Sequence, residues 1–269
     1  MKYAIVNGER KEPTKLARGE CPACGSEMIA RICKKKIDHW AHKSTLNCDR
    51  WWENETLWHR DWKNCFGAPW QEVMHRDINT NEVHIADVTT PYGWTIEFQH
   101  SRIDDEERNA RNKFYKKIAW VVDGVRRKTD IDQLSELLAG GIKLRTEHTT
   151  YAINPRHNNR LLSEWHNSDS LVFFDYRQVD QSGSRVLWLI LPTLEPKDAA
   201  VPSFVNDMFI QAFPARMFVE SHINGLFDKF FDREIYKYVI DYSKELYNIR
   251  RRYKMESFPD PKFSWLSGG

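Results

Sequence analysis

Residues 83–100 read VHIADVTTPYGWTIEFQH, and this stretch decides the fold that the sequence predicts. Polar and branched residues alternate on both sides of the Pro-Tyr-Gly turn, which predicts an antiparallel pair of strands. Asp87 lies on the first strand, and Glu97 and Gln99 share one face of the second because side chains alternate along a strand. The pairing brings Asp87 opposite or close to Glu97, within reach of a shared cation. The alternative interpretation is an exposed strand face with ordinary charges.

Upstream of this pair, the pattern of residues 51–63 predicts a helix. Glu55, His59 and Lys63 recur every four residues there and line one helical stripe. Such a stripe can face a site, although a solvent-exposed face with acid-to-base pairing is the simpler interpretation. The predicted order is helix, strand, strand, strand, helix, strand. The elements whose bounds the sequence predicts are a helix at 51–63, strands at 83–89 and 94–100, a helix at 104–117, a buried strand at 118–122 and a further helix at 129–139.

A cysteine knuckle precedes this core. Cys21 and Cys24 in Cys-Pro-Ala-Cys have the spacing at which two thiolates can share one tetrahedral zinc ion. A structural zinc site needs two further ligands, and we expect them to be His42 and Cys48, with His39 as the substitute. The alternative places His39 and His42 in the active site instead. The sequence therefore predicts a small loop-rich module organised by zinc.

Composition limits the possible classes of protein. The 269 residues carry 40 basic and 38 acidic side chains, so a nucleic-acid footprint must be a local patch rather than a global field. Five cysteines, an odd number, fit metal ligation or free thiols better than paired bridges, and Cys33 is interpreted as a small core residue. We expect a soluble cytoplasmic protein without membrane partners, since neither a signal peptide nor a membrane-spanning run is evident.

The chain divides into three predicted regions. Residues 1–50 form a hairpin, with Asn-Gly at its turn, and the zinc module. Residues 51–150 form the core, and residues 151–269 form an α+β region rich in helix, after a loop at 154–159. The elements predicted in this last region are strands at 171–176 and 185–191 and helices at 203–213, 215–231 and 234–253.

Six short motifs together resemble the competence protein CoiA-like family. The resemblance covers about residues 1–125 and implies a nuclease of the PD-(D/E)xK type, an α/β protein with a restriction-endonuclease-like αβββαβ core. Gln99 stands where such nucleases usually carry lysine. The motifs are Cys21-Pro-x-Cys24, His39-Trp-Ala-His42, Glu55-x-x-x-His59, Ala86-Asp87-Val88, Ile96-Glu-Phe-Gln-x-Ser101 and Trp120-Val-Val-Asp123.

The resemblance implies a catalytic metal site. Asp87 and Glu97 would ligate Mg²⁺ or Mn²⁺, with the carbonyl of Phe98 as a further ligand, because hard cations prefer oxygen. Gln99 would position water or phosphate. It cannot act as a cation, so the metal must supply the nucleophile and most of the charge stabilisation.

Further residues receive roles from the same resemblance. Glu55 would bind the metal directly or through water, and His59 would contact the scissile phosphate or donate a proton. Lys63, Ser101 and Arg111 are expected to bind DNA phosphates, since Arg and polar side chains commonly grip them. For Arg111 a solvent-exposed helix face is an equal alternative.

The function expected from the sequence is metal-dependent DNA hydrolysis in DNA uptake and recombination, repair or anti-phage defence. The partner would be single- or double-stranded DNA, and the region after residue 151 would offer a surface for proteins. Two alternatives remain open at this point. One is a zinc-stabilised DNA-binding protein without catalysis, and the other is a protein-interaction module of a DNA-processing system.

Overall fold

The structure is a computed structural model. No helix among the parts of the chain that it describes is long and apolar enough to cross a membrane. The loop predicted at 154–159 and the beginning of the helix predicted at 203–213 lie outside the described residues. Those residues are 1–33, 37–44, 48–51, 53–153, 160–165, 168, 170–191, 208–230 and 235–253.

Residues near the start of the chain form a sheet of their own, here called the N-terminal sheet, with strand order β2-β1-β3-β4-β5. The predicted hairpin is confirmed, with Asn7 and Gly8 at φ of 54° and 81° as a type I′ turn requires. The strands are β1 (Ala4–Val6), β2 (Glu9–Lys11), β3 (Arg18–Glu20), β4 (Glu27–Arg31) and β5 (His39–His42).

The other strands form a second sheet, here called the large sheet, with order β10-β11-β14-β13-β12-β9-β8-β7-β6. Its strands are β6 (Gln71–Arg76), β7 (Val83–Thr89), β8 (Thr95–Gln99), β9 (Ile118–Asp123), β10 (Ile142–Lys143), β11 (Thr150–Ile153), β12 (Leu171–Val179), β13 (Arg185–Leu191) and β14 (Met208–Pro214). The helices are α1 (Leu57–Asn64), α2 (Asp105–Tyr115), α3 (Asp130–Gly140), α4 (Arg160–Ser163), α5 (Ala215–Ile223), α6 (Phe227–Phe230) and α7 (Tyr236–Tyr253).

Several predicted elements of the core are confirmed. β7 and β8 are antiparallel, with Val88 opposite Ile96. Asp104 caps α2 by accepting a hydrogen bond from the backbone N–H of Glu107, as acidic N-caps do. β9 pairs in parallel with β8 and β12 and is buried along its whole length, because apolar clusters cover both faces of this central strand. From α1 to β9 the elements follow the order helix, three strands, helix, strand.

Three helix predictions need correction. The helix predicted at 215–231 ends at Ile223, and α6 follows only at Phe227. The helix predicted at 51–63 begins only at Leu57, because Thr56 and His59 form a capping box there, so Glu55 precedes the helix. The helix predicted at 203–213 is wrong, since Met208–Pro214 forms β14 between β11 and β13. A strand buried on both faces has no alternation, and its apolar run resembles that of a buried helix.

Helices cover both faces of the large sheet. One apolar cluster joins Trp58 and Trp62 of α1 with Phe218 of α5. The cluster on the other face includes Leu134 of α3 and Leu161 of α4. The large sheet also continues across residue 150, near which the sequence suggested a boundary, because β12 pairs directly with β9. The predicted site hairpin is thus held within a layered α/β structure.

Candidate functional site

Asp87 and Glu97 face each other across the β7–β8 pair. Glu97 Oε1 accepts a hydrogen bond from the backbone N–H of Asp87 at 3.3 Å, and Asp87 Oδ2 accepts one from Phe98 N–H at 3.0 Å. All three residues line a cavity of about 70 Å³. That volume has room for a cation with a few water molecules. The structure thus brings together the two acids that the sequence singled out.

The electrostatics of this pair favour a bound cation. Burial raises the pKa of Asp87 above its usual range. Burial, and then the neighbouring charge of Asp87, raise the pKa of Glu97 to about 8 although Arg111 opposes them. Two buried carboxylates that repel each other are stabilised in their charged form by a shared cation. Carboxylate oxygens are also the donors that Mg²⁺ and Mn²⁺ prefer.

Lys63 of α1 brings a positive charge to the same cavity. Its Nζ lies 2.6 Å from Glu55, 2.9 Å from Glu72 and 3.8 Å from Asp87. Burial alone would raise the pKa of Glu55, but Arg60 and Lys63 outweigh it and hold that pKa at about 2. Glu55 reaches the cavity from the segment before the helix, not from the helical stripe predicted for it. Its carboxylate is already neutralised by two cations.

His59 also lines the cavity, but both of its ring nitrogens are engaged. The backbone N–H of Thr56 donates to Nδ1 at 3.1 Å, so that nitrogen is the acceptor. Nε2 therefore carries the proton and donates to Glu53 Oε1 at 2.7 Å. In this arrangement His59 orients Glu53.

Gln99 lies beside Glu53 rather than on the wall formed by Asp87 and Glu97. Its Nε2 donates to Glu53 Oε2 and to the carbonyl oxygen of Ser101, at 3.1 Å each. Glu53 lines the cavity, so Gln99 is connected to the site through that carboxylate. The sequence did not reveal Glu53, because it lies in an irregular segment with no periodic pattern.

The residues expected to bind phosphate differ in exposure. Lys63 and Arg111 have side chains only 3% and 6% exposed, and Arg111 Nη1 pairs with Glu97 at 2.9 Å. Ser101 is exposed. A buried cation that neutralises a carboxylate would lose that partner by turning to DNA. Lys63 and Arg111 therefore lie inside the cavity, each paired with a carboxylate.

Two further acids of the cavity were missed in the sequence. Glu72 accepts hydrogen bonds from the backbone N–H groups of Lys2 at 2.7 Å and Tyr3 at 3.0 Å. Asp49 accepts from the backbone N–H of Ile85 at 2.9 Å. These three bonds join distant parts of the chain, and no local pattern marks such residues. They connect the N-terminal region to the wall of the cavity.

The second candidate centre is the cysteine knuckle with two later ligands. The ligand atoms of Cys21, Cys24, His42 and Cys48 all lie within 4.8 Å of one another, so the four residues could hold a zinc ion. Cys21 Sγ lies 3.6 Å from Cys48 Sγ, and Cys24 Sγ lies 3.4 Å from His42 Nε2. A tetrahedral zinc ion with Zn–S bonds of about 2.3 Å spaces its ligand atoms by roughly 3.8 Å. The donor set and its spacing fit zinc.

Other residues considered for this centre lie outside the group. His39 Nδ1 is 3.0 Å from the carbonyl oxygen of Ile37. Cys33 is only half-buried, and its backbone N–H donates to Asp38. The hydrogen bond between the two thiols lowers the pKa of Cys21 and raises that of Cys48, so one of the two keeps its proton unless a metal ion binds both.

Comparison with known proteins identifies the N-terminal part of the chain. Residues 7–50 match the family described as Competence protein CoiA, N-terminal domain. This range contains the four candidate zinc ligands. No curated protein and no solved structure matches the chain.

Proposed function

We propose that this chain is a metal-dependent DNA nuclease acting in DNA uptake, because residues 7–50 match the family described as Competence protein CoiA, N-terminal domain. The family match supports a role in DNA uptake. The cavity between β7 and β8 supports metal-dependent hydrolysis. A zinc-stabilised N-terminal module would precede the catalytic core.

One observation carries the proposal, which is the pair formed by Asp87 and Glu97 in a buried cavity. Both carboxylates have a raised pKa, so burial without a counter-ion disfavours their charged forms. Perturbed carboxylates that converge on a cavity are typical of functional sites. The element order from α1 to β9 agrees with the αβββαβ core of PD-(D/E)xK nucleases, in which paired acids bind the catalytic metal.

In this proposal Asp87 and Glu97 bind Mg²⁺ or Mn²⁺, and the carbonyl of Phe98 is a further candidate ligand. The metal activates water and stabilises the charge that develops on the phosphate. Arg111 orients Glu97 through their 2.9 Å ion pair. The charge of Lys63 near Asp87 helps to keep that carboxylate ionised, since Lys63 opposes the effect of burial on its pKa.

Glu53 and Gln99 form the other side of the proposed site. His59 Nε2 holds one oxygen of Glu53 and Gln99 Nε2 holds the other, at 2.7 and 3.1 Å. A carboxylate fixed at both oxygens can position a water molecule or a hydrated metal ion at the cavity. Gln99 lacks the charge of lysine, but Lys63 places a cation in the cavity that Glu53 lines. This favours catalysis over the non-catalytic alternative.

The test uses the full chain purified with its zinc. Single- and double-stranded DNA are incubated in buffer containing Mg²⁺, Mn²⁺ or neither ion, and chelators are omitted so that the cysteine cluster stays loaded. We expect cleavage with Mg²⁺ or Mn²⁺ and none without them. Failure to cut either form of DNA with either ion would contradict the proposal.

A further inference from the structure

An open groove of about 600 Å³ lies beside the proposed active site. It runs between the beginning of α1 and the ends of β9 and β12, and Leu57, His100, Arg177 and Arg185 are among its lining residues. It shares no lining residue with the cavity of Asp87. The groove is therefore a surface separate from the proposed metal site.

A fully buried carboxylate, Asp123 at the end of β9, orients two of the groove's donors. Its Oδ2 accepts hydrogen bonds from His100 Nδ1 at 2.8 Å and from Arg177 Nη2 at 3.1 Å. Among the described residues no partner is found for His100 Nε2. The imidazole is thus fixed at Nδ1, which donates to Asp123, and its Nε2 can donate to a phosphate oxygen when the ring carries the second proton of the imidazolium form.

A second buried carboxylate, Asp175 of β12, orients Arg185. Asp175 accepts from Arg185 Nε at 3.1 Å and also from its Nη2. The indole N–H groups of Trp58 and Trp62 fix the same carboxylate at 2.7 and 3.0 Å. The two bonds from Arg185 to Asp175 use Nε and Nη2, which form one edge of its guanidinium. They leave Nη1 free of this carboxylate.

The side chains held in this way remain accessible. Arg177, Arg185 and His100 are 51%, 39% and 36% exposed, whereas both aspartates behind them are 0% exposed. A ligand that enters the groove therefore meets the donors first. Guanidinium groups with a fixed orientation are well suited to phosphate oxygens.

The backbone of β12 supports a functional role for Arg177. Its φ is 56°, which is unusual for a residue with a side chain, and the register with β13 shifts between Phe174 and Gln178. Bulges near active sites commonly redirect a side chain. Strained backbone of this kind persists where the surrounding structure enforces it, often at ligand-binding positions.

The groove adjoins the proposed catalytic cavity. His59 lines the cavity, His100 lines the groove, and their ring centroids are 6.0 Å apart. Glu53 bridges them by accepting from His59 Nε2 and from the backbone N–H of His100. A strand lying along the groove would bring a neighbouring phosphate close to the carboxylate pair.

We propose that this groove binds the sugar–phosphate backbone of the nucleic-acid strand next to the phosphodiester that is cut, with Arg177, Arg185 and His100 as the phosphate-binding side chains. The inference extends the nuclease proposal and depends on it for the identity of the polymer. Asp61 is an exposed acid at the groove, so its charge opposes binding. The side chains of Leu57 and Val179, 68% and 63% exposed, flank the donors.

The first test is binding of fluorescently labelled DNA, measured by anisotropy without Mg²⁺ or Mn²⁺ so that no cleavage occurs. Arg177→Gln keeps a donor for Asp123 but removes the charge, and it should raise Kd about tenfold. The slope of log Kd against log salt should fall by about one. Arg216→Gln is the matched control, because Arg216 is 83% exposed on α5 and pairs with Glu220, and it should leave Kd unchanged.

A second set of variants avoids the buried aspartates, in case Arg177→Gln disturbs folding. Val179→Glu adds a negative charge at the groove, where it would repel a phosphate a few ångströms away across water. It should raise Kd about threefold. Asp61→Asn should lower Kd. Ile78→Glu is the control, because Ile78 is 92% exposed in the β6–β7 turn, outside the groove.

The outcomes separate the two proposals. If the protein cuts DNA but Arg177→Gln and Val179→Glu bind like the unmodified chain, the groove proposal is overturned while the nuclease proposal stands. If no DNA is cut but binding responds to these variants as expected, the groove binds the nucleic-acid backbone as proposed and the nuclease proposal fails. Absence of DNA binding by the unmodified chain also overturns the groove proposal.

Discussion

The N-terminal sheet buries only a small apolar cluster, whereas the large sheet carries an extensive apolar cluster on each face. The small cluster consists of Met1, Ala4, Cys21, Met28 and Trp40. A unit of this size does not gain enough from apolar burial to fold by that means alone. The Cys21, Cys24, His42 and Cys48 group could hold a zinc ion, which would supply the cross-link that apolar packing does not.

The ion pairs of the two regions also differ in how deeply they are buried. In the N-terminal sheet Glu27 pairs with Arg18 and Lys43 at the surface. In the large sheet Lys63 is 3% exposed and pairs with Glu72, itself 5% exposed. Surface pairs contribute little to stability, whereas a buried pair becomes costly when one partner is lost. The large sheet thus holds a buried charged network around Lys63, whereas the ion pairs of Glu27 in the N-terminal sheet lie at the surface.

The largest expected effect concerns the zinc ligands. His42→Ala and Cys48→Ser should each remove most of the zinc and unfold the N-terminal sheet, since structural zinc contributes about 10–16 kcal/mol in small domains. His39→Ala and Cys33→Ser are matched controls and should keep about one zinc per chain, the capacity of a single tetrahedral site. Elemental analysis and limited proteolysis measure both. Zinc lost from His39→Ala but retained by His42→Ala would reverse the ligand assignment.

The next effect tests the buried network. Lys63→Met leaves Glu55 and Glu72 without their shared cation and should lower the free energy of unfolding by about 3–5 kcal/mol. Lys43→Met removes a surface ion pair with Glu27, in which Lys43 is 57% exposed, and should change stability very little. Urea unfolding of both variants gives the comparison. Equal destabilisation by the two substitutions would remove the distinction drawn between the regions.

A smaller effect is the pH dependence due to Glu97. Its ordinary pKa is 4.5, and in the folded protein it is about 8. Between these values the folded chain keeps a proton that the unfolded chain has released, so stability falls as pH rises. Each pKa unit corresponds to about 1.4 kcal/mol, and we expect Glu97→Gln to gain roughly 2–3 kcal/mol over the unmodified chain from pH 5 to pH 7.5.

Thermal unfolding across this pH range, without chelator, measures the difference. Saturating Mg²⁺ should reduce it, because a cation bound to Asp87 and Glu97 stabilises the charged form that Glu97→Gln lacks. A gain that is independent of both pH and Mg²⁺ would mean that the substitution acts through packing instead.

Local patterns were sufficient to predict part of the fold. The hairpin at Asn7 and Gly8, the β7–β8 pair and the helix capped by Asp104 depend on turn and cap residues that are adjacent in sequence. Spacing also singled out Cys21 and Cys24 as zinc ligands, and residue type favoured His42 and Cys48, with His39 left as the substitute. In contrast, β14 was predicted as helix, because a strand flanked by β11 and β13 has no polar face to create alternation.

The candidate site was only partly predictable for a similar reason. Asp87 and Glu97 lie on strands joined by a short turn, so their approach follows from local pairing. Glu53, Glu72 and Asp123 act through partners that only the tertiary structure brings near. Glu72, for example, accepts hydrogen bonds from Lys2 and Tyr3, about 70 residues away in the chain. No periodicity in the sequence encodes such contacts.

The most direct test of the central claim is DNA cleavage by the double variant Asp87→Asn, Glu97→Gln, with zinc content and DNA binding measured on the same preparation. Both substitutions keep the size of the side chain but remove the charges proposed to bind the catalytic metal. The control is Asp105→Asn, Glu106→Gln, two exposed acids of α2. We predict cleavage by the control and none by the double variant, which retains its zinc and its DNA binding. Robust Mg²⁺-dependent cleavage by the double variant would contradict the account.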